Sequence, residues 1–572
     1  MNRVSQKIFK TFENCFNGPE DKIYLDKNGK IEHASISSFK RVSTIVQNVL
    51  KATIVSFALP VAFMGYFLDK TINVFSSDKK PFDEIPDVAI DDIVDALPKD
   101  IGFADSLFQS CGLGTKYSKP DFVGRSNWNE SMTKEHMEVE SEEEFDNFFV
   151  NYLDDPKTLI KILKDAGATS YRFSLERSVI EPEKGRYDFD AIHKYQNFCK
   201  ELKNSGIEPW ITLEHFVEPM WFTEDGGFEK EENIEDFVRY SEFIIPLFKD
   251  YVTNWMTFNE VGAYVFQSYI RKVYPTAANK TKQNSIYLAA KVLRNILIAH
   301  IKIYQNIKKK YPELQIGIVH QWLKMKPFNP NNPIEELVCY YISQITHNFT
   351  YNFFKTNKFE FKVPLSANIH LEIDKDQKIT DFIGFQCYGY PKIKIGFNGG
   401  KKYPGYQVKN YTIPKLKLGA TFGSTCKEGG KMQSFGMLFN PESICDALEE
   451  ASELNIPIAI TETGCDSRVQ NWGDKDFKVD DQTQKKYFEK IFSLIAKFKE
   501  KLPLKGLFFW TILRGHLEWE RAGTVSLGLV KVDKDKDGKI KSHELTPAAK
   551  YIQSIFEKAH ARDYSSKEEK IA

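Results

Sequence analysis

Eight short β-rich segments alternate with helix-length segments from about residue 100 onward. The β-rich segments are Phe103–Ser110, Ser170–Glu176, Glu208–Phe216, Asn254–Glu260, Leu314–Trp322, Asp381–Tyr388, Pro457–Thr463 and Leu504–Leu513. Helical crossovers between parallel strands are right-handed, so the carboxyl ends of all eight strands come to lie on one face. The pattern predicts an α/β fold, a single (β/α)8 TIM barrel over residues 99–560.

The segments between these strands carry apolar residues at the spacing of one helical face. Gly167 and Gly206 end two of them, as is typical of helix termini. The predicted helices are Asp154–Ala166, Phe189–Leu202, Ile234–Phe248, Ser285–Ile307, Pro441–Leu454, Asp481–Phe498 and a last helix from about Pro547 to Ala559. Gly389–Phe439 is rich in Gly, Lys and Tyr, which predicts a long loop that walls a substrate cleft.

The first hundred residues predict an extension to the barrel. Residues 1–51 are polar and mildly basic, and residues 69–98 are acidic and proline-containing, like a linker. Ala52–Leu68, between them, carries no charge. Its length is at the lower limit of the range, about 17 to 25 residues, of helices that span a bilayer. This predicts one transmembrane helix and a membrane-associated protein, single-pass or anchored. The basic flank favours a cytoplasmic N-terminus, with the barrel on the other side.

An alternative for Ala52–Leu68 is a buried or amphipathic segment packed on the domain, in a cytoplasmic protein. Residues 561–572 predict a charged tail. Lys plus Arg and Asp plus Glu number 78 each, so no net field favours a nucleic-acid partner. The cysteines are scattered without a CxxC pair, which indicates reduced thiols rather than disulfides or a zinc site.

Two glutamates mark the carboxyl ends of predicted strands. Glu260 closes the segment Asn254–Glu260, and Glu462 lies in Pro457–Gly464. Barrel enzymes keep their chemistry at this end of the strands. Two carboxylates that face one cleft are the minimum apparatus for breaking a glycosidic bond. Either glutamate alone would more often be a solvated surface residue, so a glycosidase is one interpretation of the pair and depends on the rest of the chain.

Six groups of motifs, from about Phe103 to Phe556, resemble those of glycoside hydrolase family 1 in the family's order. They are Phe103–Gly112 with Ser126–Asn129, Tyr171–Glu176, Thr212–Phe216 with Pro219–Phe222, Thr257–Glu260, Ile460–Gly464, and Phe508–Trp510 with Glu518, Trp519 and Gly528–Asp533. The resemblance implies a retaining β-glycosidase that acts on a carbohydrate substrate through a covalent glycosyl-enzyme intermediate, without a cofactor.

The resemblance also implies roles for individual residues. Glu260 would be the acid/base and Glu462 the nucleophile, with Arg172 beside it. Asn259 would contact the 2-hydroxyl of the sugar, and Tyr388 would donate to Glu462. The remaining residues implied to bind substrate are Gln109, His215, Trp510 as a sugar platform, and Glu518 and Trp519 for the distal hydroxyls.

Several positions depart from the family pattern. Val261 replaces the proline after the acid/base, Thr463 the asparagine after the nucleophile, Gln386 a shorter asparagine on strand six, and Arg177 a tryptophan. These departures leave open a catalytically silent sugar-binding scaffold. The predicted membrane segment Ala52–Leu68 leaves open a second alternative, a membrane-associated glycosyl transferase or transglycosylase that uses the same site.

A second motif fits the spacing of an EF-hand calcium loop. Its carboxylates at loop positions 1, 3, 5 and 12 are Asp533, Asp535, Asp537 and Glu544. An EF-hand needs a helix before the loop, whereas the strand-like Gly528–Val532 precedes this one. We therefore favour a solvated turn over a calcium site, and the glycosidase chemistry needs no metal.

Overall fold

The structure, a computed structural model, describes most of the chain. The described residues are 20–34, 88–132, 148–276, 285–327, 329–374, 376–397, 411–413, 418–423, 432–433, 440–470, 477–515, 517–519, 525–535 and 537–568. The predicted membrane segment Ala52–Leu68 lies outside them, as do most of the predicted loop Gly389–Phe439 and residues 69–87 of the predicted linker. Among the described helices, none is both long and apolar enough to cross a membrane.

Eight parallel strands close into a barrel in chain order, which confirms the predicted (β/α)8 fold. They are β1 (Asp100–Ala104), β2 (Ser170–Ser174), β3 (Glu208–Glu214), β4 (Asn254–Phe258), β5 (Gln315–Gln321), β6 (Phe382–Gln386), β7 (Ile458–Glu462) and β8 (Leu504–Trp510). Most strand residues are buried on both faces, which is why the strands read as continuous apolar runs.

Large side chains fill the barrel interior. The Trp210 ring on β3 lies 5.4 Å from that of Phe382 on β6 and 5.1 Å from that of Phe508 on β8. These strands are not neighbours in the barrel, so the contacts run across its interior. Met256 and Val319 complete this packing from β4 and β5. The barrel is thus a packed core whose chemistry is confined to its rim.

Helices surround the strands close to the predicted positions. The longer ones are Pro156–Asp165, Phe189–Asn204, Asn233–Leu247, Ser285–Lys310, Pro333–Ser343, Phe349–Thr356, Ser443–Ser452, Asp481–Phe498 and Pro547–Glu568. Short helical segments are Ile90–Ala96, Leu107–Cys111, Arg177–Ile180, Met220–Glu224, Gly227–Glu229, Val261–Val265, Phe266–Ile270 and Gln344–Asn348. Asp188 and Asp480 cap two helix N-termini by accepting bonds from backbone N–H groups. The last helix extends into the predicted charged tail.

The first strand was predicted too far along the chain. The segment Phe103–Ser110 was expected to be one strand, whereas β1 ends at Ala104 and a helix spans Leu107–Cys111. Side chains satisfy the N–H groups of its first turn, because Asp105 accepts from Ser106, Ser174 from Leu107 and Glu176 from Phe108. Two of these acceptors come from β2 and its loop, so local periodicity could not reveal them.

Smaller sheets and hairpins lie outside the barrel. Their strands are Glu20–Leu25, Ile31–His33, Lys326–Pro327, Lys358–Val363, Ala367–Ile373, Lys392–Phe397, Tyr411–Ile413, Leu418–Gly423, Met432–Gln433, Arg468–Gln470, Lys478–Val479, Val530–Lys534 and Ile540–Leu545. Glu20–Leu25 pairs in parallel with Ala367–Ile373, a pairing between residues far apart in the chain. Part of the predicted polar N-terminal region therefore belongs to the folded barrel domain.

The end of the predicted linker is also folded. Ile90–Ala96 forms a helix that packs on Asp481–Phe498 and Pro547–Glu568. Ile93 is its buried anchor. This helix leads directly into β1, so the described part of the linker is joined to the bottom of the barrel.

Candidate active site

The predicted site residues gather at the carboxyl ends of the strands. Glu462 is the last residue of β7, Gln386 of β6 and Trp510 of β8, and His215 follows β3 directly. Glu260 follows β4 by two residues and begins the helix Val261–Val265. The barrel geometry thus brings residues from distant parts of the chain onto one rim.

The backbone of Glu260 adopts the left-handed conformation, with φ 38° and ψ 55°. A non-glycine residue pays about 1–3 kcal/mol for such a conformation, which persists where the surroundings impose it. The following residue, Val261, is buried and continues into a helix whose Tyr264 N–H donates to the Glu260 carbonyl at 2.8 Å. Val261 thus occupies the first position of this helix, where the family pattern has proline.

Two donors hold the carboxylate of Glu462. Arg172 on β2 forms an ion pair with Oε1, and the side chains are 0% and 5% exposed. The Tyr388 hydroxyl donates to Oε2 at 2.6 Å. Burial and the Glu462 charge raise the pKa of Tyr388 well above its usual range, so it remains a donor. Both oxygens of Glu462 are thus held by groups that favour its charged form.

The electrostatics of the two glutamates are unequal. Burial raises the pKa of Glu260 well above its ordinary value, and the Glu462 charge raises it further. Burial also raises the pKa of Glu462, but Arg172 and the hydrogen bond from Tyr388 oppose that rise. A single proton shared by the pair therefore belongs on Glu260. One neutral and one charged carboxyl group are what general acid and nucleophile require.

Asn259 and His215 continue the network from Arg172. Asn259 Oδ1 accepts from Arg172 Nη2 at 2.7 Å, and its Nδ2 lies 3.0 Å from His215 Nε2. Burial and the positive charge of Arg172 lower the pKa of His215 well below its usual range, so the ring is neutral. Both side chains are buried at the rim.

Gln109 and Glu518 lie next to each other at the rim. Gln109 is on the short helix after β1, where its Nε2 donates to the Leu517 carbonyl at 2.8 Å and lies 3.4 Å from Glu518 Oε2. Its Oε1 is buried without a partner among the described residues. The Glu518 charge raises the pKa of Glu260, Glu462 and Tyr388, so Glu518 is close enough to act on all three groups.

Aromatic rings line the rim beside His215. The Trp510 ring lies 5.7 Å from the imidazole of His215, and that of Trp519 lies 6.0 Å from it. Trp519 is 6% exposed and stacks on Phe108 at 5.6 Å. It also contacts Trp128. Trp519 is therefore one layer of an aromatic cluster, while Trp510 occupies the end of β8.

Two other residues that differ from the family pattern, Thr463 and Arg177, make hydrogen bonds or ion pairs in the structure. Thr463 donates to the Cys387 carbonyl at 2.9 Å and lies 3.0 Å from the Tyr487 hydroxyl. Arg177 is buried beside the aromatic ring of Trp221 and pairs with Glu181 at 2.8 Å. These residues support the rim without touching the two glutamates.

Glu214 is a buried acid next to His215 that was not predicted from the sequence. Glu214 is 5% exposed, and its Oε1 has no hydrogen-bond partner among the described residues. Burial, followed by the Glu218 charge, raises the pKa of Glu214 well above its usual value. The sequence did contain an indication of this acid. Glu214 is a charged residue in the otherwise apolar β3, and a buried strand is not expected to carry a charged side chain.

The predicted calcium loop is folded as a hairpin between Val530–Lys534 and Ile540–Leu545. Asp535 Oδ1 accepts from the N–H groups of Asp537 and Lys539, both at 2.9 Å, and so caps the turn. Asp533 pairs with Ser542, and Glu544 lies opposite Lys531. Within the described residues, no group of three or more His, Cys, Asp or Glu side chains is arranged to hold a metal ion.

Comparison with known sequences identifies the class. The sequence profile described as glycosyl hydrolase family 1 matches residues 114–561, and the chain belongs to this family of glycoside hydrolases. This confirms the family predicted from the motifs. Beta-glucosidase 33 of Arabidopsis thaliana is 26% identical over 426 residues, which are 68% of this chain and 66% of that protein. The match thus spans just under two thirds of that relative's length.

Solved structures agree on the fold. The rice β-glucosidase Os3BGlu6 superposes with a TM-score of 0.63 at 20% identity, covering 81% of this chain and 98% of the rice chain. The family 1 β-glucosidase of Thermotoga maritima gives 0.62 at 20% identity, with 81% and 98% covered. These similarities establish the shared barrel architecture.

Proposed function

We propose that this protein is a retaining β-glycosidase in which Glu462 is the nucleophile and Glu260 the acid/base. The observation that carries the proposal is the unequal treatment of the two carboxyl groups. Arg172 and Tyr388 favour the charged form of Glu462 against the effect of burial, while burial and the charge of Glu462 favour a proton on Glu260. Such a division of roles matches the needs of a two-step glycosidase.

In the first step a carboxylate oxygen of Glu462 attacks the anomeric carbon. A carbon–oxygen bond forms as the bond to the leaving oxygen breaks, and Glu260 gives its proton to that oxygen. In the second step Glu260, now a carboxylate, takes a proton from water. The water oxygen attacks the same carbon, the ester bond to Glu462 breaks, and both glutamates return to their starting states.

A β-linked glucoside is the substrate we assign first. Support comes from the β-glucosidases named above, and from a variant of the rice enzyme solved in a covalent complex with Glc. Gln109, His215 and Asn259 provide polar groups for sugar hydroxyls, and Trp510 provides an apolar face. Transfer to a lipid or sugar acceptor would use the same covalent intermediate and would differ only in what accepts the glycosyl unit.

The stereochemistry of the first product tests this proposal. The purified full chain should cleave an aryl β-D-glucoside, or another member of an aryl β-glycoside panel, and proton NMR should show the β-anomer of the free sugar before mutarotation. Glu462→Gln and Glu260→Gln should retain the circular dichroism spectrum and lose this activity. Release of the α-anomer would contradict retention, and a folded protein that cleaves no member of the panel would favour the silent scaffold.

A further inference from the structure

Gln386 contacts the same atom of Asn259 that Arg172 contacts. Its side chain is fully buried, and Nε2 donates to Asn259 Oδ1 at 3.0 Å. Arg172 Nη2 donates to that oxygen at 2.7 Å. A guanidinium group has donors only, so the bonded atom of Asn259 is its oxygen, and the amide cannot be turned over. Gln386 therefore also donates.

This orientation fixes the hydrogen bond to His215. Because Oδ1 faces the two donors, Asn259 Nδ2 is a donor and His215 Nε2 must accept. The low pKa of His215 keeps the ring neutral, so its single ring proton is on Nδ1. His215 Nδ1 is buried without a partner among the described residues. The second N–H of Asn259 and the Nδ1–H of His215 are thus left to donate to a ligand.

We propose that Gln386 is a positioning residue, which together with Arg172 holds Asn259 in place and thereby keeps the tautomer of His215 that faces the hydroxyl groups of the bound sugar. The inference rests on the proposed glycosidase function. The side chain of Gln386 is one methylene longer than the asparagine expected at the end of strand six. The Nε2 atom at the end of this longer side chain makes the contact with Asn259. Donation by Gln386 also disfavours any arrangement in which Asn259 presents its oxygen to the substrate.

The test compares a glycoside with its 2-deoxy counterpart. Gln386→Met keeps the volume of the side chain but removes the donor, and a lost hydrogen bond predicts a fall in kcat/KM of roughly 3- to 10-fold on the 2-hydroxyl substrate. Since Asn259 is the proposed partner of the 2-hydroxyl, the fall on the 2-deoxy substrate should be at most half as large. The control is Gln484→Met, which removes a buried glutamine that donates to the Cys465 and Leu527 carbonyls. It should affect both substrates equally.

Equal losses on the two substrates, or no loss in a folded Gln386→Met variant, would overturn the positioning role while leaving the glycosidase intact. Failure of the proposed function would look different, because the wild-type protein would then be inactive on both substrates. A wild type that is active on the parent glycoside therefore isolates the question of Gln386.

A second observation concerns the two ends of residues 35–87. Before them, Glu20–Leu25 pairs with Ala367–Ile373, with Ile23 and Leu25 fully buried. Asp21 forms an ion pair with the buried Arg294 at 2.7 Å. After them, Ile90–Ala96 packs on the last helices of the barrel, and Asp95 pairs with Arg562. Both ends are thus attached to one folded domain.

We infer that residues 34 and 88 lie on the same side of any membrane that the protein meets. A single crossing between them would place about 30 Å of hydrocarbon between Glu20–Leu25 and the strand with which it pairs. The structure therefore argues against the cytoplasmic N-terminus with an external barrel that the charge pattern favoured.

Epitope tags at the two termini test this topology. In sealed microsomes from cells that express the full chain, a protease should digest both tags together or leave both intact. Digestion of one tag while the other is protected, in a preparation that retains the barrel's circular dichroism after purification, would overturn the inference. Detergent should expose both tags equally and serves as the control for sealing.

Discussion

Arg172 and Glu462 form an ion pair that is almost completely withdrawn from solvent, joining β2 to β7 across the rim of the barrel. The guanidinium also donates from Nη2 to Asn259 at 2.7 Å. A buried carboxylate is stable as an anion only where charge and hydrogen bonds replace its water. The ion pair therefore distinguishes the proposed nucleophile from Glu260.

Removing the charge of Arg172 should shift the pH dependence of catalysis. The positive charge lowers the pKa of Glu462 against the effect of burial, so Arg172→Met should raise that pKa. Glu462 must be ionised to attack, hence the acidic limb of kcat/KM should move to higher pH, by about 1 to 3 units. Arg239→Met removes an arginine paired with Glu181 instead and should leave the limb in place. An unmoved limb in active Arg172→Met would contradict the assignment.

Tyr388→Phe should produce a smaller change of the same kind. The variant keeps the ring and removes the hydroxyl that donates to Glu462 at 2.6 Å. A hydrogen bond to a charged group contributes about 1.5–3 kcal/mol, so kcat/KM should fall roughly 10- to 150-fold. The acidic limb of the pH dependence of kcat/KM should again move to higher pH, because the pKa of Glu462 rises when the hydrogen bond is lost. Steady-state kinetics over pH measure both effects, and a fall below 3-fold would show that Tyr388 does not support the nucleophile.

Glu260→Gln should make the rate depend strongly on the leaving group. Without its proton donor, cleavage of poor leaving groups should fall by about 100- to 10,000-fold, the usual range for general acid catalysis. Dinitrophenyl glycosides need no proton and should form the intermediate nearly as fast as wild type. In the wild type, activity should also decline as pH rises through the raised pKa of Glu260, because the acid loses its proton. Equal losses for both leaving groups would contradict the acid role.

Glu214→Gln should stabilise the protein in a pH-dependent way. In the wild type, burial raises the pKa of Glu214 in the folded state. The free energy of unfolding of the wild type therefore falls as pH rises above the pKa that Glu214 has in the unfolded chain. At pH 7 the variant should gain about 1–3 kcal/mol, and the gain should vanish below pH 4. Thermal unfolding at both pH values measures the difference, with Glu313→Gln on the exposed surface as control. A gain independent of pH would exclude this explanation.

Ile23→Ala should test whether the N-terminal strand belongs to the domain. Ile23 is fully buried on Glu20–Leu25, which lies between Ile31–His33 and Ala367–Ile373 in a four-stranded sheet. Loss of a buried isoleucine side chain costs about 2–5 kcal/mol. Chemical denaturation of the full chain should show that loss, whereas Ile31→Ala at a half-buried position should cost less. Equal small effects would show that the strand is dispensable.

Much of the fold and of the site was predictable because both depend on local patterns. β-rich runs and helical periodicity located the strands, and Glu260 and Glu462 follow from their positions at strand ends. The contact of Gln386 with Asn259 was not predictable, since it joins β6 to the end of β4 and depends on side-chain reach. The pairing of Glu20–Leu25 with Ala367–Ile373 was missed for the same reason, because no local signal marks a long-range partner.

The most direct test of the central claim is to trap the covalent intermediate. A 2-deoxy-2-fluoro-β-glucoside with a good leaving group slows the second step more than the first, so the glycosyl-enzyme accumulates. Intact mass should increase by one fluorosugar unit, and peptide mapping should place it on the peptide that contains Glu462, with no labelling of Glu462→Gln. Labelling of another residue, or turnover of the natural glycoside by Glu462→Gln at the wild-type rate, would contradict the mechanism.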